Sequence, residues 1–181
     1  MNATLADTRF VQVPAELISS VRRALAADRA PLEAVTLLRQ VGYELGDAVF
    51  EGLSGRLARD YAGVEALTLE PAEFWRSAGG FFAELGWGTV EHRDLHPGVG
   101  ALDLAEWIES GADGGPAGCH VSTGIFTSVL GRLAGSEVVV MEVPRGSAGS
   151  RLLFGSGEAL GAVYESLRGG ASLDDALAAL A

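Results

Sequence analysis

Residues 118–154 read GCHVSTGIFTSVLGRLAGSEVVVMEVPRGSAGSRLLF, from Gly118 to Phe154. Val121, Ile125, Val129 and Leu133 recur every fourth residue, with Phe126 and Leu130 beside them, which is helical spacing with a broad apolar stripe. Gly124 and Gly131 lie inside that helix, where each costs stability relative to alanine, so a second backbone or a ligand is expected close by. From Glu137 to Val143 the composition turns β-branched, and Gly146 to Gly149 supplies a turn before Arg151 to Phe154. The stretch therefore predicts a helix followed by a β-hairpin, with Cys119 at the helix start and Glu142 between the strands.

Outward from this stretch, helical patterns dominate the N-terminal half. Residues 1–12 lack helical periodicity and read as an extended arm, leaving 13–181 as one domain. Pro14 opens a first helix with Leu17, Ile18, Val21 and Leu25 on one face. A longer helix begins near Pro31 and carries a stripe of Leu32, Val35, Leu38, Val41, Leu45, Val49, Leu53 and Leu57. Gly42 and Gly46, four apart, allow another helix to approach, either within the chain or across a dimer seam. A third helix starts at Pro71 with Phe74, Trp75, Ala78, Phe81, Phe82 and Leu85 apolar, and Gly86 closes it.

Gly88 to Leu95 alternates as a strand with one wet face, and 99–109 fits either a strand or a helix. After Phe154 a glycine turn leads to a helix with Leu160, Val163, Tyr164 and Leu167, and Ser172 caps a short last helix. Four strand candidates, with helices before, between and after them, give the α+β class: a mainly antiparallel four-stranded sheet covered by helices, with long N-terminal helices.

Composition restricts the function. A chain of 181 residues buries roughly 70% of its unfolded surface and needs no staples. It holds 13 arginines, no lysine, 24 acids and one cysteine, for a net charge of −11. That field opposes direct binding to nucleic acid or to an anionic membrane. No signal peptide or long apolar run is recognisable, which predicts a soluble, cytoplasmic protein without disulfides.

The opening stretch resembles the C-terminal signature of the 4-vinyl reductase domain, a hydrocarbon-binding domain. In that family a cysteine opens a glycine-containing helix, and a strand ends in glutamate, followed by a cysteine, a glycine turn, a second cysteine and an aromatic residue. Cys119, Glu142 and Phe154 occupy three of these positions, whereas Pro144 and Leu152 stand near those of the two later cysteines. LLRQVGYELGDAVFEGL and FWRSAGGFFAELGWGTVEHRDL are similar to the family's N-terminal helix and to its helix-to-strand turn.

The resemblance covers most of residues 32–168 and implies a TRAPP-like, haem-NO-binding-like fold. It favours a strand over the first half of 99–109 and implies a homodimer paired through the N-terminal helices.

Few residues suggest chemistry. Cys119 reads as a small buried residue, as a thiol facing a ligand at a helix N-terminus, or as a metal ligand. Zinc needs about four donors, and Cys119, Glu142 and His120 fall short, so no structural zinc and no cofactor are expected. His92 lies beside Glu91 and Asp94, whose charges would favour its protonated form, and His96 precedes Pro97 in a turn. Tyr164, Ser166 and Arg168 match the Tyr-x-Ser-x-Arg motif of haem-binding relatives, but in a different context.

Glu142 calls for a partner, Arg145 or Arg151, or else orients a polar group on a ligand. No nucleophile elbow, phosphate loop or dinucleotide fingerprint is present, so an enzyme is not expected. The expected function is binding or sensing of a small hydrophobic molecule in a pocket between sheet and helices. Phe74, Phe81, Trp87, Trp107, Phe126 and Met141 would line it, with Cys119 at its mouth and Glu142 as a polar point. The alternative is a scaffold or accessory subunit that offers its helices to a protein partner and needs no ligand.

Overall fold

The computed structural model describes residues 16–61, 69–109, 118–144 and 149–180. Among these residues, six helices and four strands follow in the order α1 (Glu16–Asp28), α2 (Pro31–Asp60), α3 (Pro71–Glu84), β1 (Thr89–His96), β2 (Val99–Ala105), α4 (His120–Ala134), β3 (Val139–Pro144), β4 (Ser150–Gly155), α5 (Gly157–Arg168) and α6 (Leu173–Ala178). The expected α+β class and its single antiparallel sheet are present. Residues 1–15 and most of the turn between β3 and β4 lie outside the described residues.

The strands are ordered β1-β2-β4-β3, every neighbouring pair antiparallel. The ambiguous segment 99–109 resolves into β2 followed by a turn at Ile108 and Glu109. Because side chains alternate across a sheet, the two faces carry different residues. Leu102, Leu104, Val140 and Leu152 face α2, α3 and α4 in the larger core. Val99, Ala101 and Leu153 face the opposite way, against Leu160 and Val163 of α5 and Ala176 and Leu177 of α6. Ser156 and Ser172 cap α5 and α6 by accepting the amide N–H of Ala159 and Asp175, the latter as its sequence predicts.

Helix α4 is the centre of the larger core. Ten of its 15 residues are buried, and they surround the helix instead of forming one stripe. Two of its hydroxyls bond back to the helix's own backbone: Thr123 donates to the Cys119 carbonyl and Thr127 to the Thr123 carbonyl. Against α4 lies α2, and glycines on both helices allow the contact. A Cβ on Gly42 would overlap the Val121 carbonyl, one on Gly46 the Ser128 side chain, and one on Gly124 the Arg39 carbonyl. Gly42 meets Val121, Gly46 meets Ser128 and Asp47 pairs with Arg132 at 3.1 Å, so the two helices run in the same direction.

The eight-residue stripe read along α2 divides in two. Leu38, Val49, Leu53 and Leu57 are buried, while Leu32, Val41 and Leu45 are exposed. The reason is that a helix of 30 residues turns past any single neighbour, and Gly42 and Gly46 take the centre of the buried face. Tyr164 is likewise exposed, not part of the apolar side of α5 that Leu160 and Val163 form.

Two alanine substitutions distinguish close approach from open surface. Gly124→Ala should destabilise the protein by about 2 kcal/mol or more through overpacking. Gly55→Ala, where nothing lies within 4 Å, should stabilise α2 by about 0.5–1 kcal/mol. Urea unfolding of both variants measures the difference.

Candidate functional site

The most constrained polar constellation surrounds the N-terminus of α4. The first amides of a helix have no intrahelical acceptor and must find one elsewhere. Here two carboxylates provide it. Glu109, only 2% exposed, accepts from the Val121 N–H and the Ser122 N–H, each at 2.8 Å, and from the Ser122 hydroxyl at 2.7 Å. Glu142 accepts from the Cys119 N–H at 2.7 Å. Negative charge is favourable at this end of a helix dipole, and charged acceptors make the stronger hydrogen bonds.

The network extends to two more elements. The Trp107 indole N–H donates to the Ser122 hydroxyl at 2.7 Å, and the buried Arg22 of α1 donates to the Glu109 carbonyl at 2.7 Å. Thus the end of β2, the start of α4 and α1 are joined through one carboxylate and its own backbone. The Glu109 role escapes a reading of the sequence because the partners are 12 and 13 residues apart across an ambiguous segment.

Glu142 was expected to pair with an arginine, but Arg151 is engaged elsewhere. It lies on the other face of the sheet, where its guanidinium donates to Asp103 at 2.6 and 2.9 Å. Arg93 donates to the same carboxylate at 2.7 Å. Asp103 is the cross-strand neighbour of Arg151, which explains the pair. The hydrogen bond with Asp103 raises both guanidinium pKa values above their ordinary one. Arg145 lies outside the described residues.

The eight residues expected to line a ligand pocket do not all meet. Phe74, Phe81, Trp107, Phe126 and Cys119 are buried in the larger core, and Trp87 is half-buried at its edge. Met141 is on the opposite face of the sheet, beside α5 and α6. Phe82, absent from the expected set, is the hub: its ring centroid lies 5.3 Å from Phe81, 5.4 Å from Phe126, 5.5 Å from Trp107 and 5.7 Å from Trp87. These are the spacings of aromatic rings packed against one another.

Cys119 is 1% exposed, not at an open mouth, and its Sγ is 3.4 Å from the Ser150 hydroxyl. Among the described residues, no group of three or more His, Cys, Asp and Glu side chains could hold a metal ion.

His92 departs from expectation in the direction of its titration. It faces the larger core, stacked on Trp75 at 4.8 Å with the rings 4° from parallel, and Phe154 is 5.9 Å away. Burial lowers its pKa from the ordinary 6.5, and the exposed Asp94 at 3.6 Å offsets this only in part. His96 instead accepts the Gly98 N–H at its Nδ1 in the turn between β1 and β2.

Urea unfolding of three variants tests this arrangement. Glu109→Ala should cost about 3 kcal/mol, because it removes a buried acceptor and leaves its three donors unpaired. Glu142→Ala, which frees one partly buried amide, should cost about 1 kcal/mol. For His92, the unfolded imidazole takes a proton near pH 6.5 and the folded one only at lower pH, so protons favour unfolding as pH falls below that value. Urea unfolding at pH 7 and pH 5 should show a smaller loss for His92→Gln than for the parent chain.

No family model and no curated protein sequence matches this chain.

Proposed function

We propose that this protein is a non-catalytic assembly module of the 4-vinyl reductase domain type, a homodimer paired through α1 and α2 that offers helical surface to a protein partner. The observation that carries the reading is an uncovered apolar row on α2. Leu37, Val41 and Leu45 follow at intervals of four and are 39%, 46% and 46% exposed. Leu17 and Val21, also four apart on α1, are 49% and 45% exposed. A row without charge is self-complementary when two copies meet about a twofold axis. The glycines of α2 do not contribute to this seam, since Gly42 and Gly46 are used against α4 of the same chain.

The link between Cys119 and Glu142 supports the family reading without a metal. In this chain the two signature positions share one structural task, the carboxylate capping the cysteine's own N–H. A second reading, a site for a small hydrophobic molecule, is favoured by Trp87, half-buried beside Phe82 and Trp107 where the aromatic cluster reaches the surface. The mutual packing of the other rings favours the assembly reading over it.

Light scattering of the purified chain should give twice 18.7 kDa at micromolar concentration. Val41→Glu should give the monomer with unchanged circular dichroism. A parent chain that stays monomeric would remove the assembly reading, and a recurrent hydrophobic adduct in native mass spectrometry would favour the second one.

A further inference from the structure

The two edges of the sheet differ in a way that points to a second docking site. An open edge strand presents unpaired backbone N–H and C=O groups, and proteins ordinarily blunt it with charges, bulges or covering elements. β1 has such protection: Glu91, Arg93 and Asp94 line it, and its register is irregular between Asp94 and His96. β3 has little. It reads VVMEVP, keeps regular pairing from Val139 to Pro144, and among the described residues pairs only with β4. Its one charge, Glu142, is committed to the Cys119 N–H.

Grooves flank this edge on both sides of the sheet. One of about 1060 Å³ lies between α2, α4 and β3, with Arg39, Tyr43 and Val140 in its wall. The other, about 820 Å³, lies between β3 and α5, with Met141, Tyr164 and Arg168. Side chains of an added strand would alternate into these two spaces. Arg39 lines both grooves and has no ion pair among the described residues. Arg168 is only 3.9 Å from the exposed Glu165. The acids that line the two grooves are Asp47, already paired with Arg132, Glu137, and Glu142, which is committed to the Cys119 N–H.

We propose that the edge of β3 takes an extended acidic peptide as a fifth strand, with its backbone paired to β3 and its carboxylates directed to Arg39 and Arg168. Main-chain hydrogen bonds would supply affinity, and the alternate side chains selectivity. A second copy of β3 fits the charges less well, because it brings the same two arginines and not their counter-charges.

The test is fluorescence anisotropy of the full chain with a fluorescein-labelled seven-residue peptide of alternating valine and glutamate. Binding should saturate, weaken about fivefold in the Arg39→Ala, Arg168→Ala double variant, as two exposed ion pairs would, and vanish when alternate peptide amides are N-methylated. Both arginines project from helix surfaces, so the variant keeps its fold. Equal binding of the valine–lysine peptide or of the N-methylated one, or no binding at all, would overturn the proposal.

Discussion

The contact between α2 and α4 is the constraint on which the remaining structure depends. Where Gly42, Gly46 and Gly124 face the other helix, backbone lies against backbone or a small side chain, with no room for a Cβ. Closeness there lets Leu38, Val49 and Leu53 reach the same layer as Ile125, Phe126 and Val129. The sheet then packs beneath α4 through Leu102, Leu104 and Leu152, and α3 closes the side with Phe74, Phe81 and Phe82. A glycine in a helix interior costs about 1 kcal/mol relative to alanine, and the buried area gained by close approach offsets that cost.

A helix buried on most sides needs its end groups satisfied without water. Glu109 and Glu142 do this from two directions, one in the turn after β2 and one within β3. Each carboxylate thereby fixes where its strand meets α4. The same bonds give both acids a structural task at that helix end. Surfaces stand out instead: α2 exposes an apolar row, and among the described residues the outer edge of β3 has no strand paired to it.

Much of the fold was legible in the sequence, for physical reasons that can be named. Pro31 and Pro71 each stand at a helix start, where proline's fixed φ and missing N–H do no harm. Ser172 announced its helix through the acids that follow it. Periodicity identified the helices but not which side of α2 is buried, because Val41 and Leu45 are as apolar as Leu38. Only the glycines marked the buried face, and their partner helix lay some 80 residues away. The site was less legible. Met141 and Glu142 are adjacent in sequence, so the pleat sends them to opposite faces and they cannot share a pocket. Glu109 gave no signal and Phe82 only that of an apolar helix position, since a cap formed across a loop and the hub of a ring cluster have no spacing of their own.

The central claim is that Gly42 and Gly46 of α2 serve contact within the chain, and a double-mutant cycle between Gly42→Ala and Gly124→Ala, followed by urea unfolding, tests it most directly. Once one Cβ has forced the helices apart, the second should meet less resistance. The account predicts that the double variant is less destabilised than the sum of the singles, by about 1 kcal/mol or more. Additive losses, or singles that cost nothing, would contradict it.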